Sequence, residues 1–309
     1  EGLTEYFIQY EVPVGLLHKL FALKAYRLNF IVDDSGSMRA PTDVTAADAT
    51  PYLYDTPPHP TTKMTRWQEA ENRLHIMIDI LSFVPTKSIQ IMFLNAPNIV
   101  TLDHSNKTID EFRSSSHTTI HQIFNTIDVR YKTPTFTVMS RVLTEALQYP
   151  DPTMHYLLTD GVPSDRPVEV VGDLIKNRPY PERNPITFLS CSNEDSEVEW
   201  MKEVEEIAPY AAEIDEYVAE KQEVLHDQGS AFPYTKGLWM VSQLVAAINP
   251  MDLDAMDESL PFTKFTLDNL LGRSHTADEY RYYFDKNPHA VMYRDLFQRF
   301  VTEEVHSRS

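Results

Sequence analysis

The pattern of apolar and polar positions changes between two periods along the chain. Short runs of consecutive apolar residues predict buried strands, whereas apolar residues three and four positions apart predict amphipathic helices. Strands are predicted at residues 26–33, 88–94, 98–102, 155–159 and 185–191. Helices are predicted at residues 13–25, from 65 onward, around 120–127 and 139–146, at 168–176, after 191 and at 235–248. This alternation favours an α/β fold with a doubly wound, mostly parallel sheet that is covered by helices on both faces.

Two of the predicted helices begin with a capping box. In this motif a Ser or Thr side chain and a Glu or Gln three residues later satisfy each other's free backbone amides. Thr65 and Gln68 have this spacing, and so do Ser196 and Glu199. The motif therefore predicts that one helix starts beside Thr65 and another beside Ser196.

The chemical character of the chain predicts three parts. Residues 1–25 are expected to form an N-terminal helical segment, and residues 26–250 the main domain. Residues 251–309 are acidic and aromatic, and they are expected to form a helical extension packed on the main domain. The aromatic cluster between Tyr280 and Phe284 is expected to pack inside this extension rather than to form a sticky surface.

A long insertion at residues 34–62 follows the first strand of the main domain. Its prolines at 41, 51, 57, 58 and 60 are expected to break any regular element. Tyr52, Leu53 and Tyr54 supply a small group of apolar and aromatic side chains. A proline-rich segment loses little entropy on ordering, so the insertion is suited to recognition of a partner.

Composition and charge narrow the classes of function. The 46 acidic residues outweigh 27 basic ones, and the net charge of −19 repels nucleic acid and anionic bilayers except through a bound cation. Cys191 is the single cysteine, so no internal disulfide can form, and a reducing, cytoplasmic compartment is expected. Neither a transmembrane helix nor a signal peptide is visible. The alternative is an exported effector without a classical signal peptide, because the acidic, polar tail from Glu303 to Ser309 resembles export tails of some bacterial effectors.

Five polar residues follow predicted strands or precede a helix. Asp33, Ser35 and Ser37 lie at every second position after the first strand, and in an extended turn they face one point. Thr133 lies just before a helix, and Asp160 directly follows another apolar strand. Doubly wound sheets bind ligands beyond the carboxyl ends of their strands, so these residues form the candidate site. The alternative is a serine-rich turn with two strand-end aspartates that cap helices.

These five residues resemble the metal-ion-dependent adhesion site (MIDAS) of von Willebrand factor type A (vWA) domains. That site is written Asp-x-Ser-x-Ser with a distant Thr and a distant Asp. The resemblance covers roughly residues 26–248 and implies a Rossmann-like vWA fold. It implies that the two serines and Thr133 approach a divalent cation, while Asp33 and Asp160 bind it directly or through water. Such an all-oxygen shell suits Mg²⁺, with Mn²⁺ or Ca²⁺ as alternatives.

The resemblance further implies a protein–protein interaction module. Its cation receives an acidic side chain of a protein partner at an open coordination position. The 34–62 insertion and the neighbouring loops are then expected to set the specificity for that partner.

Two features depart from the usual family pattern. Arg130, Tyr131 and Lys132 stand where many members have glycines, and the positive charge of Lys132 would compete with the cation. The insertion is also longer than is common in the family. One of its acids, Asp43, Asp48 or Asp55, would then be able to close the open position of the cation in cis.

The competing class of function is a metal-dependent hydrolase or phosphotransfer enzyme, in which the cation acts as a Lewis acid. The chain has no Gly-x-Ser-x-Gly motif, no glycine-rich phosphate loop and no aspartyl-phosphatase spacing after Asp33, so no catalytic residue is predicted. His117 and His121 are expected on a solvated helix face rather than as a metal pair. Cys191 is expected to be a small buried hydrophobe rather than a nucleophile.

Overall fold

The computed structural model describes residues 2–192, 194–248, 256 and 259–302. The strands are Arg27–Val32 (β1), Pro41–Thr45 (β2), Lys63–Thr65 (β3), Ser88–Phe93 (β4), Ile99–Leu102 (β5), Thr153–Thr159 (β6), Ile186–Ser190 (β7) and Ala211–Ile214 (β8). The first seven α-helices are Gly2–Gln9 (α1), Leu17–Ala22 (α2), Arg66–Leu81 (α3), Ile109–Thr126 (α4), Thr135–Ala146 (α5), Val168–Lys176 (α6) and Asp195–Ile207 (α7). The others are Tyr217–Gln228 (α8), Lys236–Val245 (α9), Lys264–Leu271 (α10), Ala277–Lys286 (α11), Ala290–Tyr293 (α12) and Phe297–Thr302 (α13).

The central element is a six-stranded sheet in the order β5-β4-β1-β6-β7-β8. All neighbours are parallel except β4 and β5, which pair antiparallel. The chain winds outward from β1 in both directions, so the loops after β1 and β6 diverge at the point where the strand order reverses. This topology confirms the predicted fold class, and it places the ends of β1 and β6 side by side, with Val32 opposite Leu158.

Alternate side chains of the strands pack on opposite faces of the sheet. On one face, Ile31 and Leu157 belong to a buried apolar cluster with residues of α5, α6 and α7. On the other face, the ring of Phe30 stacks on that of Tyr156 with centroids 4.6 Å apart. On this second face, the rings of Trp67 in α3 and Phe124 in α4 contact the ring of Phe93 in β4. Because both faces are covered, the strands consist of nearly continuous apolar residues.

Three local features differ from the expectation. The insertion is not free of regular structure, since β2 and β3 form a short antiparallel pair at its base. The helix α7 begins at Asp195 with Glu194 as its N-cap and without a side-chain capping bond, so the capping box at Ser196 is wrong. The edge strand β8 was not predicted, because its sequence of two alanines, a glutamate and one isoleucine has no strand-like apolar run. By contrast, the capping box of Thr65 and Gln68 is present.

The contacts between residues divide the chain into two units. One is Ala22–Glu216, which contains the whole sheet, and the other combines Glu1–Phe21 with Tyr217–Ser309. The predicted domain bounds at residues 25 and 250 stay a prediction. Within the second unit, Tyr280, Tyr283 and Phe284 are buried, as expected for packing, whereas the prediction is wrong for Tyr282, which is 63% exposed.

No α-helix in the described part of the chain is long and apolar enough to cross a membrane.

Candidate metal centre

The loop after β1 is held in a tight turn by its own first aspartate. The amide of Asp33 continues the sheet by donating to the carbonyl of Leu158 at 2.8 Å. The amide of Ser35 then donates to Oδ1 of Asp33 at 2.8 Å. This local bond bends the chain back, so that side chains two residues apart point toward the end of the neighbouring strand.

Four of the five predicted site residues are brought together in one chain of contacts. The Oγ atoms of Ser35 and Ser37 lie 3.0 Å apart, and Ser37 donates to Oδ1 of Asp160 at 2.9 Å. Thr159 donates to Oδ2 of Asp33 at 2.6 Å, which joins the ends of β1 and β6. Side chains more than 120 positions apart in the chain therefore converge beyond the carboxyl ends of two adjacent parallel strands.

The loop of Thr133 lies beside this group. Ser35 and Tyr131 form an isolated parallel bridge, in which the Gly36 amide donates to the Tyr131 carbonyl at 2.9 Å. Thr133 itself is buried, and its amide donates to Oγ of Ser164 at 2.9 Å. The structure thus fixes the backbone of Thr133 next to the serine loop.

Burial makes the two carboxylates costly in their charged form. Asp33 and Asp160 are both fully buried. Burial raises the pKa of Asp33 to about 6, and the charge of Asp160 adds to this rise, although hydrogen bonds from Thr159 and Ser35 oppose it. Burial also raises the pKa of Asp160, against the effect of hydrogen bonds from Arg66 and Ser37. A cation between the two carboxylates would offset this cost.

The donor set suits a hard divalent cation such as Mg²⁺, because it consists only of carboxylate and hydroxyl oxygens. Within the described part of the chain, no group of three or more His, Cys, Asp or Glu side chains is arranged to hold a metal ion. The candidate centre supplies two carboxylates, Asp33 and Asp160, and its other oxygens are hydroxyls. A cation at this position would therefore depend on the serines and on Thr133.

Arg66 is a member of this site that the sequence pattern did not reveal. Its guanidinium donates from Nη1 to Oδ2 of Asp160 at 2.8 Å, and its Nη2 atom lies 2.8 Å from Oε2 of Glu197. Lys132, which was expected to compete with the cation, is exposed, so the buried competing charge belongs to Arg66. The sequence did contain one signal for this role of Arg66. A basic residue at the start of α3 interacts unfavourably with the helix dipole, so an acidic partner elsewhere in the fold is expected.

The two ends of the insertion lie side by side next to the candidate site. The amide of Arg66 donates to the carbonyl of Ala40 at 2.9 Å, so residues 41–65 form a closed excursion. Its acid Asp43 contacts Lys63 at 2.6 Å on the exposed ribbon, and Asp55 lies 3.6 Å from His121 of α4. In these positions, Asp43 and Asp55 pair with cationic or titratable side chains of the insertion and of α4.

A second buried polar group lies between α3 and α4, and we name it the histidine cluster. It consists of His75, His117 and His121 with Glu71 and Asp79. The Nδ1 atoms of His75 and His117 are 2.8 Å apart, Nε2 of His117 lies 2.8 Å from Asp79, and Nδ1 of His121 lies 2.8 Å from Glu71. The expectation of a solvated face is wrong for His117, which is 2% exposed. Helical periodicity alone did not show that the insertion covers this face.

The apolar anchor of the insertion covers the histidine cluster. The ring of Tyr52 stacks on His117 with centroids 3.6 Å apart, and Leu53 is buried. The stacking of Tyr52 on His117 therefore attaches the insertion to α4. Cys191 is also buried, which raises the pKa of its thiol well above the usual value and agrees with a structural role.

Comparison with known proteins finds similarity among solved structures. No protein family model matches the chain, and no curated protein matches it either. The crystal structure of the SpRpn10 VWA domain is 12% identical with a TM-score of 0.35, and the match covers 62% of this chain and 87% of that one. The structure of the manganese-loaded Plasmodium vivax TRAP protein is 17% identical with a TM-score of 0.38, and the match covers 64% of this chain and 71% of that one. These similarities concern the fold, and the chemistry of the site follows from this chain's own residues.

Proposed function

We propose that this chain is a divalent-cation-binding protein-interaction module. In this proposal Asp33, Ser35, Ser37, Thr133 and Asp160 hold one Mg²⁺ or Mn²⁺ ion, and the ion receives an acidic side chain of a protein partner. The cation would supply an electrostatic contact for that carboxylate. The protein's own residues orient the ion and shield it from water.

The observation that supports a divalent ion is the balance of charge at the site. The carboxylates of Asp33 and Asp160 are buried, and that of Glu197 is 35% exposed. One guanidinium, that of Arg66, contacts Asp160 and Glu197, so the three carboxylates in their ionised form exceed the positive charge by two. A divalent cation neutralises this remainder, and the serine hydroxyls provide neutral ligands. Burial of uncompensated charge is expensive, so a cation at this position would also stabilise the folded state.

The rim of the site favours an acidic partner. Ser37 is exposed, and so are the cationic side chains of Arg39, Arg130 and Lys132 on the neighbouring loops. Both arginines contact the single carboxylate of Asp128, which leaves an excess of positive charge in a protein whose net charge is −19. A local positive rim attracts acidic side chains and repels basic ones.

The partner could also use apolar contacts beside the ion. Tyr131 is 50% exposed and Val162 is 46% exposed, on the loops after α4 and β6 that flank the site. Exposed aromatic side chains at the centre of an interface often contribute much of its binding energy.

Calorimetric titration with Mg²⁺ and Mn²⁺ tests the metal site, and one site per chain is expected. A second titration uses a hexaglutamate peptide, with a hexaglutamine peptide as the control, in magnesium and after chelation. Binding of hexaglutamate only in magnesium supports the proposal. Absence of metal binding contradicts it, and magnesium-dependent hydrolysis of phosphoesters without peptide binding would favour the enzyme alternative.

A further inference from the structure

Arg66 uses both sides of its guanidinium in the buried part of the site. Its Nη1 atom donates to Oδ2 of Asp160 at 2.8 Å. Its Nη2 atom donates to Oγ of Ser192 at 2.9 Å and lies 2.8 Å from Oε2 of Glu197. The side chain of Arg66 is 10% exposed, so solvent screens these contacts little.

The carboxylate of Asp160 is therefore in contact with a cation before any metal binds. Ser37 donates to its Oδ1 atom and Arg66 to its Oδ2 atom. A guanidinium keeps its proton at every pH at which proteins fold, so this positive charge cannot be removed by deprotonation. A divalent ion that approaches Asp160 meets a fixed positive charge bonded to the same carboxylate.

Glu197 moderates the positive charge of Arg66. Its carboxylate is 35% exposed and contacts both the guanidinium and Ser192. The pair of Arg66 and Glu197 is close to neutral as a unit. The free carboxylate charge available to a metal thus depends on how Arg66 is shared between Asp160 and Glu197.

We propose that Arg66 is a built-in cation that competes with the divalent ion for Asp160, and that Glu197 sets the strength of this competition. This inference rests on the proposed metal site. It makes Arg66 an affinity-determining residue of the site, and it predicts that loss of the guanidinium and loss of its carboxylate partner change metal affinity in opposite directions.

Calorimetry with Mg²⁺ and Mn²⁺ on the full chain tests this. Arg66→Gln is expected to raise metal affinity at least about tenfold, because a unit charge within a few ångströms of a cation is strongly repulsive at this depth. Glu197→Gln is expected to lower it several-fold. Arg66→Lys, which keeps the charge, is expected to stay near the wild type. Arg141→Gln is the matched control, because it makes the same change in net charge at an exposed arginine of α5.

Thermal unfolding gives a second measurement that does not depend on partner binding. In metal-free buffer, Arg66→Gln is expected to lower the melting temperature, because buried Asp160 loses its cationic partner. Addition of magnesium is expected to raise the melting temperature of Arg66→Gln more than that of the wild type.

The outcomes separate this inference from the proposed function. Metal binding by the wild type with equal or weaker binding by Arg66→Gln would overturn the inference and leave the proposed function intact. A rise in affinity for Glu197→Gln would overturn it as well, even if Arg66→Gln failed to fold. Absence of metal binding in every variant would overturn both.

Discussion

The candidate metal centre and the histidine cluster are both buried groups of polar side chains, yet they differ in how their atoms are arranged. In the histidine cluster the contacts are made one to one, as between His117 and Asp79 or between His121 and Glu71. A histidine ring carries its two nitrogens on different sides, so the ring of His117 links His75 to Asp79. At the candidate metal centre, the side-chain oxygens of four residues lie close together between the loops after β1 and β6. These residues are Asp33, Ser35, Ser37 and Asp160.

The two regions also differ in charge. Neutral histidine rings can donate to carboxylates, and burial lowers the pKa of His75 to about 3, so that ring stays uncharged at neutral pH. The candidate metal centre instead retains more negative charge than Arg66 can balance. Burial of polar atoms alone therefore does not indicate a binding site. The metal site is proposed because ligands converge there together with uncompensated charge.

The largest expected effect separates the two regions by metal affinity. Asp33→Asn combined with Ser35→Ala removes one charge and one hydroxyl while the shape of the turn is kept. We expect Mg²⁺ affinity to fall about 1000-fold, or about 4 kcal/mol. Calorimetry measures this, with circular dichroism to show that the fold is retained. His121→Gln in the histidine cluster is the control and should bind metal like the wild type. If His121→Gln lost as much magnesium affinity as the double variant, the two regions would not differ in metal binding.

A second prediction concerns the pH dependence of stability in the histidine cluster. Burial raises the pKa of Glu71 from 4.5 to about 7, although the hydrogen bond and charge of His121 oppose this. The folded state then holds a proton that the unfolded chain releases. The stability from this group is full below about pH 4.5 and is lost as the pH rises to about 7.

Glu71→Gln imitates the protonated carboxyl and removes this dependence. The free energy of unfolding of Glu71→Gln minus that of the wild type should therefore increase by up to about 3 kcal/mol from pH 5 to pH 8. Urea denaturation at several pH values measures the difference. Glu145→Gln, at an exposed position of α5, should follow the wild-type profile. If the profiles of Glu71→Gln and the wild type ran parallel, the buried carboxyl would not be the cause.

The smallest expected effect concerns the insertion over the histidine cluster. Tyr52→Ala removes the ring that stacks on His117, and we expect a loss of about 1 kcal/mol in stability with unchanged metal affinity. Tyr52→Phe keeps the ring and should lose less. Thermal unfolding and magnesium calorimetry check both parts. A fall in metal affinity for Tyr52→Ala would show that the insertion also supports the metal centre.

The sequence alone determined five of the six strands of the main sheet and the candidate residues. Buried parallel strands are nearly continuous apolar runs, and amphipathic helices repeat every three to four residues, so both patterns can be read locally. Asp33 and Asp160 were found because each directly follows such a run. Their meeting follows from parallel strands, whose carboxyl ends share one edge of the sheet. The edge strand β8 was not predicted because its sequence of two alanines, a glutamate and one isoleucine has no strand-like apolar run, although all four residues are buried in the fold.

Only the tertiary structure decided which charges and rings meet. Arg66 and Asp160 are 94 positions apart, and the sequence pattern shows Arg66 merely as the first residue of a helix. The stacking of Tyr52 on His117 likewise depends on the path of a proline-rich insertion that has no period to interpret. Periodicity reports the local conformation of the backbone and which face is apolar. Pairing of polar side chains depends on which segments packing brings within hydrogen-bond distance, and this is a property of the whole fold.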